Sequence, residues 1–203
     1  MAPGIKKLNR FTTLPFLIDM ITRQKLVLLN PATWEDFNDR ATMQAYQKQQ
    51  DAKSTYALCL SYGEAIHHWN AFASGTSGCC IEFSQEKLFN TLNDAGIGHG
   101  KAEYLSLRNL SLLNPVLSPY LKWLPYKPEK EYRILLTSNK EQQATYEIPI
   151  DLSIIRKITI TNKISRPVFE SLKAVIKNLG FKGKIYQSTL YSNNTWINHF
   201  TTK

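Results

Sequence analysis

The chain is poor in cysteine: it has three, Cys59, Cys79 and Cys80, with no Cys-x-x-Cys pair and no cysteine–histidine spacing of the zinc kind. Adjacent Cys79 and Cys80 point to opposite faces of an extended segment, so they suit neither one metal nor one disulfide. The expectation is buried thiols in a reducing, cytoplasmic compartment, and no metal. Long apolar runs are missing too, since none approaches the roughly 18 residues that a membrane span needs. Met1 to Asn9 is basic without the apolar stretch and cleavage site of a secretory signal. Gly96, Gly98 and Gly100 are not a dinucleotide fingerprint, because they follow a helical segment rather than a strand and lack the final spacing. Acids are scarce: 16 against 25 lysines and arginines, for a formal charge of +9 and a pI near 9.4. The excess is spread over Lys6, Lys7 and Arg10, over Lys122, Lys127 and Lys130, and over Lys173, Lys177, Lys182 and Lys184. Such a field favours a polyanionic partner such as a nucleic acid, although solubility alone also explains it.

What is present is an ordinary globular composition, 43% apolar and 20% charged. Asn9–Leu14 reads as a strand. Pro15 opens a helix to about Arg23 whose Phe16, Leu17, Met20 and Ile21 share a face. Lys25–Leu29 is an apolar strand stopped by Asn30-Pro31, and Trp34–Arg40 resembles a structured loop. Strands are expected over Thr55–Tyr62 and Gly78–Phe83, with a short helix over Ala65–Ala73 and another capped by Ser84 and reaching Leu92. The glycines at 96–100 suggest a flexible loop. Pro115 and Pro119 interrupt Leu105–Leu124, which predicts broken helical pieces or a lid. Glu129–Thr137 and Ile154–Ile160 are strands. The clearest helix begins at Ser165-Arg166-Pro167, carries an apolar stripe of Phe169, Leu172, Ile176 and Leu179, and stops at Gly180. Lys184–Tyr191 is a last strand and the tail is loose. With no repeat or linker, these elements predict one α+β domain over residues 1–203.

Chemistry concentrates in Glu129-Lys130-Glu131-Tyr132-Arg133, where a strand's period of two puts Glu129, Glu131 and Arg133 on one face. Two carboxylates and a guanidinium suit a cleft: Arg133 orients one carboxylate while another stabilises a cation or accepts a proton. A solvent-facing strand with cross-strand ion pairs explains the same pattern. Arg10, beside Thr12 on the first strand, is a candidate clamp for a phosphate or ribose, or an edge-strand charge. His67 and His68 diverge by about 100° on a helix and cannot share a metal. Trp69 offers a ring for stacking, or fills the core. Ser61 lacks a Gly-x-Ser-x-Gly elbow, so it is no hydrolase nucleophile.

Taken in order, Arg10–Thr13, Lys25–Pro31, Trp34–Asp36, Asn38-Asp39, Ser61, Trp69, Gly78–Phe83, Glu129-x-Glu131-x-Arg133 and Gly183–Ser188 resemble a bacterial family of unknown function, numbered twenty-nine seventy-one. Its layout is more distantly similar to ADP-ribosyltransferases. That resemblance implies a split β-sheet core flanked by helices and NAD as substrate. Arg10 with Thr12 would hold the cofactor and Ser61 would support the nicotinamide ribose, although no Ser-Thr-Ser follows it. Glu131 would be catalytic, with Glu129 positioning or deprotonating the acceptor. Trp69 and Arg133 would complete the cofactor site. The implied protein is a toxin of a toxin–antitoxin or phage-defence system, held by an antitoxin and modifying RNA in preference to DNA. The alternatives are a non-catalytic nucleic-acid-binding module and a metal-dependent nuclease built on Asp36, Asp39 and the two glutamates.

Overall fold

A computed structural model describes residues 7–112 and 117–201, without the side chains of residues 111 and 112. Along the chain run β1 (Leu8–Thr13), α1 (Leu14–Arg23), β2 (Lys25–Leu29), α2 (Phe37–Gln49), β3 (Ser54–Ser61), α3 (Ile66–Phe72) and β4 (Gly78–Phe83). They are followed by α4 (Gln85–Asp94), β5 (Gly98–Lys101), β6 (Glu103–Leu105), β7 (Leu121–Trp123), β8 (Glu131–Ser138) and β9 (Thr145–Pro149). The chain ends with β10 (Ile155–Ile160), α5 (Arg166–Asn178), β11 (Lys184–Gln187) and α6 (Asn194–Thr201). It is an α+β structure, and its contacts divide it into two compact units made of interleaved segments.

The first unit draws on Lys25–Gly63 and Gln85–Ile150. Its strands lie in the order β9-β2-β3-β8-β5, with antiparallel neighbours throughout. The long β3–β8 ladder pairs Ser54 with Ser138 at one end and Ser61 with Glu131 at the other. Met43 of α2 packs on Ala57 and Leu135 of this ladder, with Trp34 and Tyr46 at the margin. The expected loop at Trp34–Arg40 in fact runs into α2. Asp36 caps that helix by accepting from the amides of Asn38 and Asp39. The glycine segment is a strand, not a flexible loop. Gly100 lies flat under Tyr120, where a Cβ would sit 3.1–3.3 Å from the ring. Between them, Leu105–Leu124 holds the end of β6, a 3₁₀ segment at Leu107–Leu112 and β7. Its proline at 115 lies outside the described residues.

The second unit draws on Asn9–Gln24, Glu64–Ser84 and Asp151–Lys203. Its strand order is β11-β10-β4-β1, with β10 antiparallel to β4 and parallel to β11. The buried side of α1 is Leu14, Leu17, Met20 and Ile21, whereas Phe16, expected on that face, is 62% exposed. In α5, Phe169 and Ile176 are buried, and Gly180 ends the run at φ +98° as expected. The tail forms α6 instead of a loose end. No helix among the described residues is long and apolar enough to cross a membrane.

Candidate active site

Glu131 and Arg133 sit two residues apart on β8, so their side chains leave the strand on one face, as the period of two requires. Glu129 reaches them by another route. It ends a 3₁₀ segment, Leu124–Glu129, and Lys130 then turns into the strand with a left-handed φ of 48°. The turn is pinned from β3. The Ser61 hydroxyl lies 2.7 Å from the Glu129 carbonyl oxygen, to which it donates, and accepts from the Gly63 amide; the Tyr62 amide donates to the Lys130 carbonyl. Ser61 is thus buried and occupied with the backbone that presents Glu129.

Arg133 has no exposed surface, and each of its three side-chain nitrogens donates to a protein acceptor. Nε donates to Glu131 Oε1 at 2.7 Å, and Nη2 makes a forked pair with Asp39 at 2.9 and 2.8 Å. Nη1 faces the Pro119 carbonyl and the Met43 sulfur, and the guanidinium lies 5.4 Å from the Trp34 ring centroid. Enclosed by these partners, the Arg133 guanidinium orders the carboxylates around it.

Lys122 of β7 is the second organiser. Its ammonium bonds Glu129 Oε2 at 2.6 Å and Glu131 Oε2 at 2.5 Å, lies 3.6 Å from Asp39, and rests over the Tyr126 ring. Burial opposes its charge, but Glu131 leads the neighbours that raise its pKa well above the ordinary lysine value. For Glu131, burial pushes the carboxyl up, yet Arg133 and Lys122 outweigh it and hold the group at about 2. Asp39 ends raised, because burial and the Glu131 charge outweigh Arg133. Three carboxylates therefore face two cations, leaving surplus negative charge. Of the three, Glu129 is the most open, its side chain 20% exposed against 3% for Glu131 and 5% for Asp39.

Sequence reading missed Lys122, and it set Asp39 beside the two glutamates only as a metal ligand, not as the partner of Arg133. The apolar-polar mix around Lys122 hid a short strand, and Asp39 lies 94 residues from the arginine it pairs with. The Asn38-Asp39 pair was noted as a motif, but nothing local tied it to Arg133. Opposite Arg133 in the ladder lies Cys59, exposed rather than buried as expected; Cys79 and Cys80 are buried. Desolvation by the groups packed around it, and then the Glu131 charge, push the Cys59 thiol well above the usual range.

Arg10, Thr12 and Trp69 belong to the second unit. Arg10 is partly buried on β1, and desolvation lowers its pKa to about 10 against the pull of Cys79 and Asp19. Thr12 is buried. Trp69 is 3% exposed, packs with Ala73, Cys80 and the edge of Phe11, and donates from Nε1 to Glu64 at 3.1 Å. Its ring is core, with no open face for stacking on a ligand. His68 likewise stacks on Phe11 and accepts from the Ala65 amide. No group of three or more histidines, cysteines and acids suited to a metal occurs among the described residues.

No family model matches the chain, so the likeness to family twenty-nine seventy-one stands on its motifs alone. No curated protein matches it significantly. Among solved structures, it is similar to Thermus sp. 2.9 DarT in complex with ADP-ribosylated single-stranded DNA, at 14% identity over 92% of this chain and 95% of that one, with a TM-score of 0.46. It is also similar to Thermus sp. 2.9 DarT with NAD+ (14% identity, 93% and 98% covered, TM-score 0.44) and with carba-NAD+ (13%, 92% and 97%, 0.45).

Proposed function

We propose that this protein transfers ADP-ribose from NAD to a nucleic acid, with Glu129 as the carboxylate that meets the substrate. The observation that carries the reading is the position of Glu129: the most open member of a carboxylate cluster with surplus negative charge, fixed by Lys122 and by the Ser61-pinned backbone. In such a transfer the bond from the ribose C1′ to nicotinamide breaks, leaving an oxocarbenium-like ribose. A preorganised anion stabilises that cation. The acceptor's nucleophilic atom then bonds C1′ and gives up its proton, for which Glu129 is the nearest open base. Glu131, ionised at all working pH and bonded through both oxygens, supplies fixed negative charge and holds Lys122 in place. It is a positioning residue in this reading, which moves the catalytic role from Glu131 to Glu129. The task of holding the pyrophosphate, which the resemblance gives to Arg10, rests on that resemblance.

The metal-nuclease reading fits less well, because Lys122 and Arg133 already occupy oxygens of all three carboxylates that a metal would need. A purely binding role leaves unexplained why a basic chain buries acids together at a strand end. The basic charge favours nucleic acid over an acidic protein as acceptor, and RNA is tested first, with single-stranded DNA beside it. Roles as a toxin, with an antitoxin partner, or in phage defence rest on the resemblance.

The test is incubation with labelled NAD and separate pools of RNA, single-stranded DNA and protein. Label is expected in a nucleic-acid pool, about a hundredfold weaker in Glu129→Gln. Absence of NAD consumption with every pool would sink the reading, as would full transfer by Glu129→Gln. Label in protein would replace the acceptor. Growth arrest on expression, relieved by Glu129→Gln, tests the toxin role.

A further inference from the structure

The positive charge is not spread as the sequence first suggests. Residues 151–203 contain nine lysines and arginines against two acids, so this last quarter carries most of the chain's +9. Two carboxylates that face these cations, Glu170 of this segment and Glu82 of β4, are already paired. Glu170 is paired with Arg166 and Lys173, and buried Glu82 with Lys157 and Arg156. Lys182 and Lys184 are exposed and have no carboxylate in ion-pair range among the described residues.

Lys184 opens β11 and Lys182 lies two residues before it; β11 pairs with β10 alone among the described strands and so forms the end of the second unit's sheet. Lys184 and Tyr186 alternate with buried Ile185, and Tyr186 is 48% exposed. Beyond the strand, Lys163 lies over the Tyr191 ring at 5.0 Å, and the Tyr191 hydroxyl donates to Asn70 Oδ1, which fixes a second exposed aromatic. Along the chain, the exposed edge thus runs Lys182, Lys184, Tyr186 and Tyr191, with Lys163 packed on the last ring. Lysines on an edge strand also deter edge-to-edge pairing, but that role needs charge alone and gives Tyr186 and Tyr191 no task.

We infer that the strip from Lys182 and Lys184 through Tyr186 to Lys163 and Tyr191 is a docking surface for single-stranded nucleic acid. Its lysines contact phosphates, and its tyrosines stack on unpaired bases. Single strands, unlike duplexes, offer base faces and phosphates together, which is what interleaved rings and cations recognise. The inference deepens the proposed function and rests on its choice of a nucleic acid as acceptor.

Fluorescence anisotropy of the full chain with labelled 16-nucleotide single-stranded RNA, the same sequence as DNA, and a duplex tests it. Single strands of either kind are expected to bind more tightly than duplex. Tyr186→Ala is expected to weaken them about tenfold, a stacking-sized loss. Lys182→Glu with Lys184→Glu is expected to lower the salt slope of log K by about 1.4. Lys87→Glu with Lys140→Glu makes the same charge change on exposed lysines of the other unit and is expected to leave that slope near its original value. Equal losses in the two double variants, or duplex binding as tight as single-strand binding, would overturn the inference. Nicotinamide release by the unaltered protein is followed separately. Its absence with intact single-strand binding overturns the transferase reading and leaves the surface standing, whereas NAD turnover without single-strand binding overturns the surface.

Discussion

Arg133 and Asp39 form a forked ion pair at 2.8 and 2.9 Å, with the arginine wholly buried. Nη2 alone makes both contacts, straddling the carboxylate, while Nε of the same rigid plane reaches Glu131.

Replacing Arg133 with methionine keeps the volume and removes the charge that faces both Asp39 and Glu131. Buried carboxylates left without a partner cost about 3–5 kcal/mol. Urea denaturation should show a loss of that size. Arg133→Lys should recover only part of it, because an ammonium cannot fork across Asp39 while also reaching Glu131. Equal stability of Arg133→Lys and the original protein would show that the planar geometry is unimportant.

Lys122 is the hinge between the buried and exposed parts of the cluster, since it bonds Glu131 on one side and Glu129 on the other. In Lys122→Met the three carboxylates face Arg133 alone, so stability should again fall by about 3–5 kcal/mol. Function should fall further than stability explains. Assayed below its unfolding transition, the variant should release nicotinamide from NAD much more slowly, because Glu129 has lost its anchor. Unchanged turnover in a folded Lys122→Met would show that the anchor is not needed.

Much of the fold was legible because short apolar runs bounded by turn residues read plainly. Lys25–Leu29 and Gly78–Phe83 occur as expected, the latter buried throughout. What escaped has physical reasons. Helix α2 buries only Asp39 and Met43, so its sequence carries almost no apolar stripe. Strand β5 has glycine where Tyr120 presses on the backbone, and glycine reads as loop. At the site, the strand period found Glu131 and Arg133, but it also put Glu129 on the strand. The left-handed Lys130 was invisible, and the convergence of Lys122 and Asp39 is a matter of tertiary packing that no local pattern encodes.

Gly78 opens β4 where the Ala73 carbonyl crosses it, and a Cβ at this position would overlap that oxygen. The obstacle is backbone on both sides, so it cannot swing away as a side chain can. Gly78→Ala should therefore destabilise by about 3 kcal/mol, at the upper end for overpacking. Gly63→Ala meets chiefly the flexible stem of Lys130, the nearest atom at 2.7 Å, and should cost far less. Paired thermal melts check the contrast, and similar losses in both would show that the crossing at Ala73 relaxes freely.

The acid limb of stability should report Glu131. Its carboxyl titrates near the ordinary 4.5 when unfolded and near 2 when folded, because Arg133 and Lys122 outweigh the burial that pushes it up. Between those values the unfolded chain binds more protons, so stability rises with pH across the window and is lost as pH falls from about 4.5 toward 2. Asp39, raised by burial and by Glu131, works in the opposite sense and blunts the slope. In Glu131→Gln the main acid-sensitive group is gone, and so is part of the upward push on Asp39. Urea midpoints measured at steps of pH should start lower for Glu131→Gln at neutrality, change less through the window, and converge with those of the original protein toward pH 2. Two curves falling in parallel would mean that some other carboxylate carries the acid transition.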